Sequence, residues 1–201
     1  MNFQTTASFI LASQSPRRRE LFAQLHIPFD VESADVEETS VAFQTASQYV
    51  QDVALLKAQA VAAKHPDAVV IGSDTIVVYR DQLLHKPKTT NEAVQHLQKL
   101  RGKTHEVLTA VAIVTAQNTY SFVETTSVTF RMVSDAFIEA YVATGDPFDK
   151  AGGYGIQTDG VFFVEKIDGD YLTVVGLPLS RLTDELLQHN LLQLETQEVQ
   201  A

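Results

Sequence analysis

The sequence predicts an α/β fold built on a mixed β-sheet, and three observations carry the prediction. Apolar runs of strand length alternate with segments of helical period along the chain. Some runs, such as Ala68-Val69-Val70-Ile71, are almost continuously apolar, the pattern of a buried strand. Asp168-Gly169 lies between two further apolar runs, Val161 to Ile167 and Tyr171 to Val175, and reads as a hairpin turn. At least part of the sheet is then antiparallel.

The elements follow in order. Phe9 to Ala12 is a short buried strand that ends at Ser13-Gln14-Ser15-Pro16. Ser15 is a good N-cap and Pro16 suits a first helical turn, so a helix is predicted from Pro16 to about His26. Phe29 to Ser33 reads as a strand and Asp35 to Thr39 as an acidic loop. A long helix runs from about Ala46 to His65, where Pro66 stops it. Ala68 to Ile71 and Ile76 to Tyr79 read as two half-strands interrupted at Gly72-Ser73, a bulge or a close backbone approach. Thr89 with Glu92 forms a capping box for a helix to about Leu100, stopped by Gly102. Val107 to Val114 and Phe122 to Phe130 are strands, and Ser134 caps a helix ended by Gly145. After the glycine-rich segment Ala151 to Gly155 comes the hairpin, and Pro178 opens a last helix to about Leu194. Residues 195–201 have few apolar anchors and read as a frayed tail.

Composition removes several classes of function. The 201 residues suit one large or two small domains. There is no cysteine, hence no disulfide, no thiolate metal site and no cysteine nucleophile. A net charge of −10 argues against a surface that tracks duplex nucleic acid. No apolar run approaches a membrane span and the N-terminus lacks the basic start of a signal peptide, so a cytoplasmic protein is expected. The six histidines show no metal-ligand spacing, and there is no Walker loop and no nucleophile elbow.

Six segments are candidates for chemistry. Ser13-Gln14-Ser15-Pro16-Arg17-Arg18-Arg19 joins a strand end to a helix start, where backbone N–H groups, hydroxyls and guanidinium groups suit a phosphate; the alternative is a capped surface helix. Lys57 falls inside the apolar stripe Val50, Val53, Ala54 and Val61, so it either snorkels out or reaches a buried anion. Asp74 in Ser73-Asp74-Thr75 is an acid within an apolar strand, which is costly unless it is paired, and it reads as a general base or metal ligand rather than a turn aspartate. Lys86 and Lys88 flank Pro87, facing either an anion or solvent. In the Asp149 to Gln157 segment the glycines permit close approach and Gln157 offers both donor and acceptor to a base edge. Glu37 and Glu38 are a metal-ligand pair or a solvated loop.

In its order of motifs the chain resembles the Maf family. The blocks are Leu11-Ala12-Ser13-Gln14-Ser15-Pro16-Arg17-Arg18, Ile71-Gly72-Ser73-Asp74-Thr75, His85-Lys86-Pro87 and Gly102-Lys103-Thr104-His105. Asp149 to Gln157, Lys166 to Tyr171 and Val175-Gly176-Leu177-Pro178-Leu179 complete the set, from about Phe9 to Leu187. The resemblance implies a single domain over residues 1–194, an elongated two-lobed fold with a central cleft, and a homodimer. It implies a hydrolase that cleaves a nucleoside triphosphate to the monophosphate and pyrophosphate, with Mg²⁺ or Mn²⁺. The implied site is Ser13, Arg17, Arg18, Glu38, Lys57, Asp74, Lys86 and Gln157, with Asp74 the proton acceptor and Glu38 and Asp74 the metal ligands. Arg17, Thr75 and Gln157 resemble the branch acting on dTTP and UTP rather than the branch acting on 7-methyl-GTP. His85 departs from the glycine common before the Lys-Pro pair. The family is also linked to septum formation, so a nucleotide-binding regulator that needs no catalysis is the alternative from another class.

Overall fold

The computed structural model describes residues 2–195. Its main sheet is mixed. The strands β2 (Phe9–Leu11), β3 (Phe29–Val31), β4 (Val69–Tyr79), β6 (Thr104–Val114), β7 (Thr119–Phe130) and β8 (Val164–Asp168) lie in the order β3-β2-β4-β6-β7-β8. The pairs β2/β3 and β2/β4 are parallel, and the remaining pairs are antiparallel. A short strand, β5 (Gln82–Leu84), turns back on the end of β4. Near the ends of the described chain, β1 (Phe3–Gln4) pairs with β9 (Gln193–Leu194).

The helices sort by face. Val70, Ile76 and Val78 of β4 pack with Val50, Ala54, Ala58 and Val61 of α2 (Ala46–Ala62). On the opposite face the apolar core is divided. Ile71 and Val111 belong to a cluster with Leu21 and Phe22 of α1 (Pro16–Phe22) and Leu182 and Leu186 of α6 (Leu179–Gln188). Val77 and Val107 belong to another, with Leu97 and Leu100 of α3 (Thr90–Leu100) and Ile138 and Val142 of α4 (Asp135–Ala143). Between the two clusters, on the same face, β4 and β6 carry the polar residues Ser73, Thr75 and Thr109.

Most of the expected caps are present. The hydroxyls of Ser15, Thr89 and Ser134 each accept from a first-turn N–H, and so does that of Thr45, a cap the sequence reading did not name. Four expectations need correction. First, β4 is continuous: its ladder with β6 runs in register from Val70–Val114 to Val78–Glu106. Gly72 marks a close approach instead, because a Cβ there would lie 2.4 Å from the Ala54 carbonyl oxygen and 2.8 Å from the Ala58 Cβ. Second, Asp168-Gly169 does not turn a hairpin. Tyr171–Val175 is a short helix, α5, because the Asp170 carboxylate accepts from Leu172 N (3.2 Å) and Thr173 N (2.7 Å), and β8 pairs with β7. Third, the last helix ends at Gln188 rather than Leu194, and Asn190 takes a left-handed conformation that turns the chain into β9. Fourth, α2 stops at Ala62, short of His65. The expected tail lies outside the described residues except for Glu195, which Asn2 binds through both its backbone carbonyl and its side-chain amide.

Candidate active site

The site lies at a gap in the sheet. On one side of β4, β2 pairs only as far as Ile71 and β5 begins only at Val77. Among the described residues, positions 72–76 therefore have no strand on that side. Successive side chains of a strand point to opposite faces. At this gap both faces meet one opening, so adjacent Asp74 and Thr75 line the same cavity, of about 130 Å³.

The α2 face carries the ions. The close packing at Gly72 brings α2 down onto β4 and sets Lys57 over Asp74. Lys57 Nζ lies 2.8 Å from Asp74 Oδ1 and 2.7 Å from Glu38 Oε1. Of the two sequence alternatives, Lys57 thus takes the second and reaches an anion. Asp74 is buried, with its side chain 12% exposed, whereas that of Glu38 is 50% exposed. Burial works to raise the Glu38 pKa, but the hydrogen bond and charge of Lys57, with Lys86 and Arg18, take it below the ordinary carboxylate value. Among the described residues no group of three or more His, Asp or Glu converges on one point. Lys57, Asp74 and Lys86 line the cavity with Arg17 and Gln157.

The opposite face is held by Arg18. Its Nε donates to Gly176 O at 2.8 Å, Nη1 to Ser73 O at 2.8 Å and to Ser13 Oγ at 3.5 Å, and Nη2 to Thr75 Oγ1 at 2.9 Å. The sequence marks Arg18 as a phosphate ligand. The structure engages most of its donors with protein acceptors, so Arg18 ties α1, the unpaired edge of β4 and the turn after α5 into one frame. Burial pulls its pKa below the ordinary value, and the nearby Asp74 works against that.

Arg17 points into the cleft and its Nη1 meets Asp149 Oδ2 at 3.1 Å. Asp149 in turn takes the buried Lys150 Nζ at 2.6 Å, which also reaches Asp146 Oδ1 at 3.0 Å. Asp146 accepts from Tyr141 Oη at 2.5 Å and Thr158 Oγ1 at 2.6 Å. This network pins the loop that presents Gln157, which is exposed at the cavity wall. Ser13 is buried, and its hydroxyl accepts from Ser15 N. Lys86 is exposed, lines the cavity, and makes no ion pair among the described residues. His85, exposed beside it, is not among the lining residues.

Of the residues singled out from sequence for the site, Arg17, Arg18, Lys57, Asp74, Thr75, Lys86 and Gln157 line this cavity, Ser13 and Glu38 line an adjoining pocket that shares Arg17, Arg18, Lys57 and Lys86, and Glu37 and Lys88 line neither. A profile of the family described as Maf-like protein matches residues 8–189. The chain belongs to this family. Two curated relatives carry the name dTTP/UTP pyrophosphatase. That of Bacillus cytotoxicus is 50% identical over 90% of this chain and 94% of its own length. That of Bacillus cereus is 50% identical over 90% of this chain and 95% of its own. Among solved structures, the Ham1 protein of Staphylococcus aureus aligns over 61% of this chain and 71% of its own, with 18% identity and a TM-score of 0.46.

Sequence reasoning passed over the roles of Asp146, Asp149, Lys150 and Thr109. Asp149 and Lys150 open the glycine-containing segment, but nothing in their local sequence points to an ion-pair network. Thr109 carried a readable signal, a hydroxyl in the otherwise apolar run Val107 to Val114, and it is fully buried.

Proposed function

We propose that this Maf-family member is a nucleoside triphosphate pyrophosphatase that hydrolyses dTTP and UTP to the monophosphate and pyrophosphate. The observation that carries this is a buried carboxylate, Asp74, at a cleft lined by the cations Arg17, Lys57 and Lys86 and by the neutral polar residues Thr75 and Gln157. The names of the two relatives supply the substrate.

In this reading Asp74 orients and deprotonates the attacking water, and the bond that breaks joins the α-phosphorus to the bridging oxygen of the pyrophosphate. Lys86, exposed and without a carboxylate partner among the described residues, meets the phosphates directly. Arg17 and Lys57 exchange a carboxylate for phosphate oxygens when the substrate arrives, and Arg18 holds their frame. Glu38 and Asp74, both converging on Lys57 Nζ, form a two-carboxylate set of the kind a hard divalent cation uses when substrate phosphates and waters complete its shell. The proposal therefore includes Mg²⁺ or Mn²⁺ at these residues, which when bound neutralises charge on the triphosphate. It also includes a homodimer in the cytoplasm, which light scattering and cell fractionation would test. Among the described residues no helix is long and apolar enough to cross a membrane.

The test is a nucleotide panel in heavy-oxygen water with Mg²⁺. Pyrophosphate release from dTTP and UTP, with the label in the monophosphate, is expected. Label in the pyrophosphate, or faster turnover of 7-methyl-GTP, contradicts the reading. Tight nucleotide binding without any release would favour the regulator.

A further inference from the structure

The Thr75 hydroxyl sits in a hydrogen-bond chain whose direction can be worked out atom by atom. Thr109 lies opposite Thr75 in the β4–β6 ladder. The Thr109 hydroxyl is 2.7 Å from the Thr173 backbone carbonyl. A carbonyl only accepts, so the single proton of Thr109 is directed there. Thr75 Oγ1 is 2.9 Å from Thr109 Oγ1. With the Thr109 proton already committed, the donor in this contact is Thr75. Arg18 Nη2 lies 2.9 Å from Thr75 Oγ1 on another side, and a guanidinium only donates. Thr75 thus turns its proton inward, accepts once from Arg18, and keeps one lone pair. Thr109 and Thr173 are fully buried.

We propose that Thr109 is a positioning residue for base selection: it locks the Thr75 hydroxyl as an acceptor toward the cleft. A locked acceptor takes a base that presents a ring N–H, as the imide of uracil or thymine does. It repels a bare ring nitrogen at the same place, as in cytosine. Gln157 lacks this selectivity by itself, because a primary amide offers either a donor or an acceptor after a half-turn. A site built around a required hydrogen-bond partner rejects the analogue that lacks it more strongly than shape alone can. The inference rests on the pyrophosphatase reading above and adds the residue that sets the polarity.

The test compares kcat/KM for UTP, CTP and 3-methyl-UTP, by pyrophosphate release, in the wild type, Thr109→Val and Thr109→Ser. The wild type should prefer UTP over both others. Thr109→Val removes the hydroxyl at nearly constant volume and leaves Thr75 free to turn its proton outward. Its UTP-over-CTP preference should fall by about 10-fold, the scale of one hydrogen bond. Thr109→Ser should restore the preference, since its hydroxyl can reach the same carbonyl. A purely structural Thr109 would change UTP and CTP turnover together, and an unchanged ratio in Thr109→Val overturns the proposal. If that variant does not fold, the wild type decides: 3-methyl-UTP turned over as well as UTP overturns it, and loss of 3-methyl-UTP turnover supports it. Wild-type protein inactive on UTP would remove the pyrophosphatase reading and this inference with it, a result distinct from an unchanged ratio.

Discussion

At the scale of single residues, burial decides what a polar group can do. His105 is 2% exposed, with Nε2 2.8 Å from the Tyr154 hydroxyl and Nδ1 without a partner. Burial pulls its pKa down to about 3. In the unfolded chain the same imidazole takes a proton near pH ~6.5. Between those values the unfolded state binds a proton that the folded state refuses. The stability His105 contributes is therefore complete above pH ~6.5 and is lost as pH falls toward 3, by up to about 1.4 kcal/mol per pH unit. Urea midpoints at pH 7 and pH 4.5 should differ, and His105→Gln should shrink the difference. An equal difference in the variant would assign the acid sensitivity to other groups. Lys57 shows the same logic from sequence. Its place in an apolar stripe was legible, but which anion it meets was not, because Glu38 and Asp74 come from separate elements.

At the scale of elements, the packing of α2 on β4 builds the face that carries Lys57 and Asp74. The sequence showed the helix, its stripe and the odd glycine at position 72, all of them local signals. It could not show that the helix backbone sits where a Cβ would be. Gly72→Ala should push α2 away from β4, lower stability by about 1–3 kcal/mol and weaken the Lys57–Asp74 contact. Thermal melts and UTP turnover check this, and a variant with native stability and activity would contradict the close-packing account. The misread hairpin has an equally physical cause. Asp168-Gly169 has the turn signature, but the Asp170 carboxylate two residues on caps a helix turn and fixes Tyr171–Val175 as α5. That helix supplies the Thr173 carbonyl, so the same capping bond also orders the chain of hydroxyls behind Thr75.

At the scale of the molecule, the sheet gap, the divided core and the charge all converge on one cleft. The chain carries a net charge of −10, yet Arg17, Arg18, Lys57 and Lys86 gather at residues 72–76 of β4. Asp149, Asp74 and Glu38 partner two of these cations. The cleft is thus charged on both sides and poised for exchange of partners, more than it is simply positive. A small triphosphate can enter it, whereas a long polyanion also meets the acidic body. At physiological salt the protein should bind UTP and fail to retain duplex DNA in a filter or gel-shift assay; salt-sensitive retention of DNA would contradict this view of the surface.

In the proposed reaction Asp74 acts as the base that drives pyrophosphate release. Steady-state turnover of UTP with Mg²⁺, wild type against Asp74→Asn, tests it most directly. Turnover should fall by about 10²-fold or more while nucleotide binding persists. An asparagine variant that releases pyrophosphate at a near-wild-type rate would contradict the account.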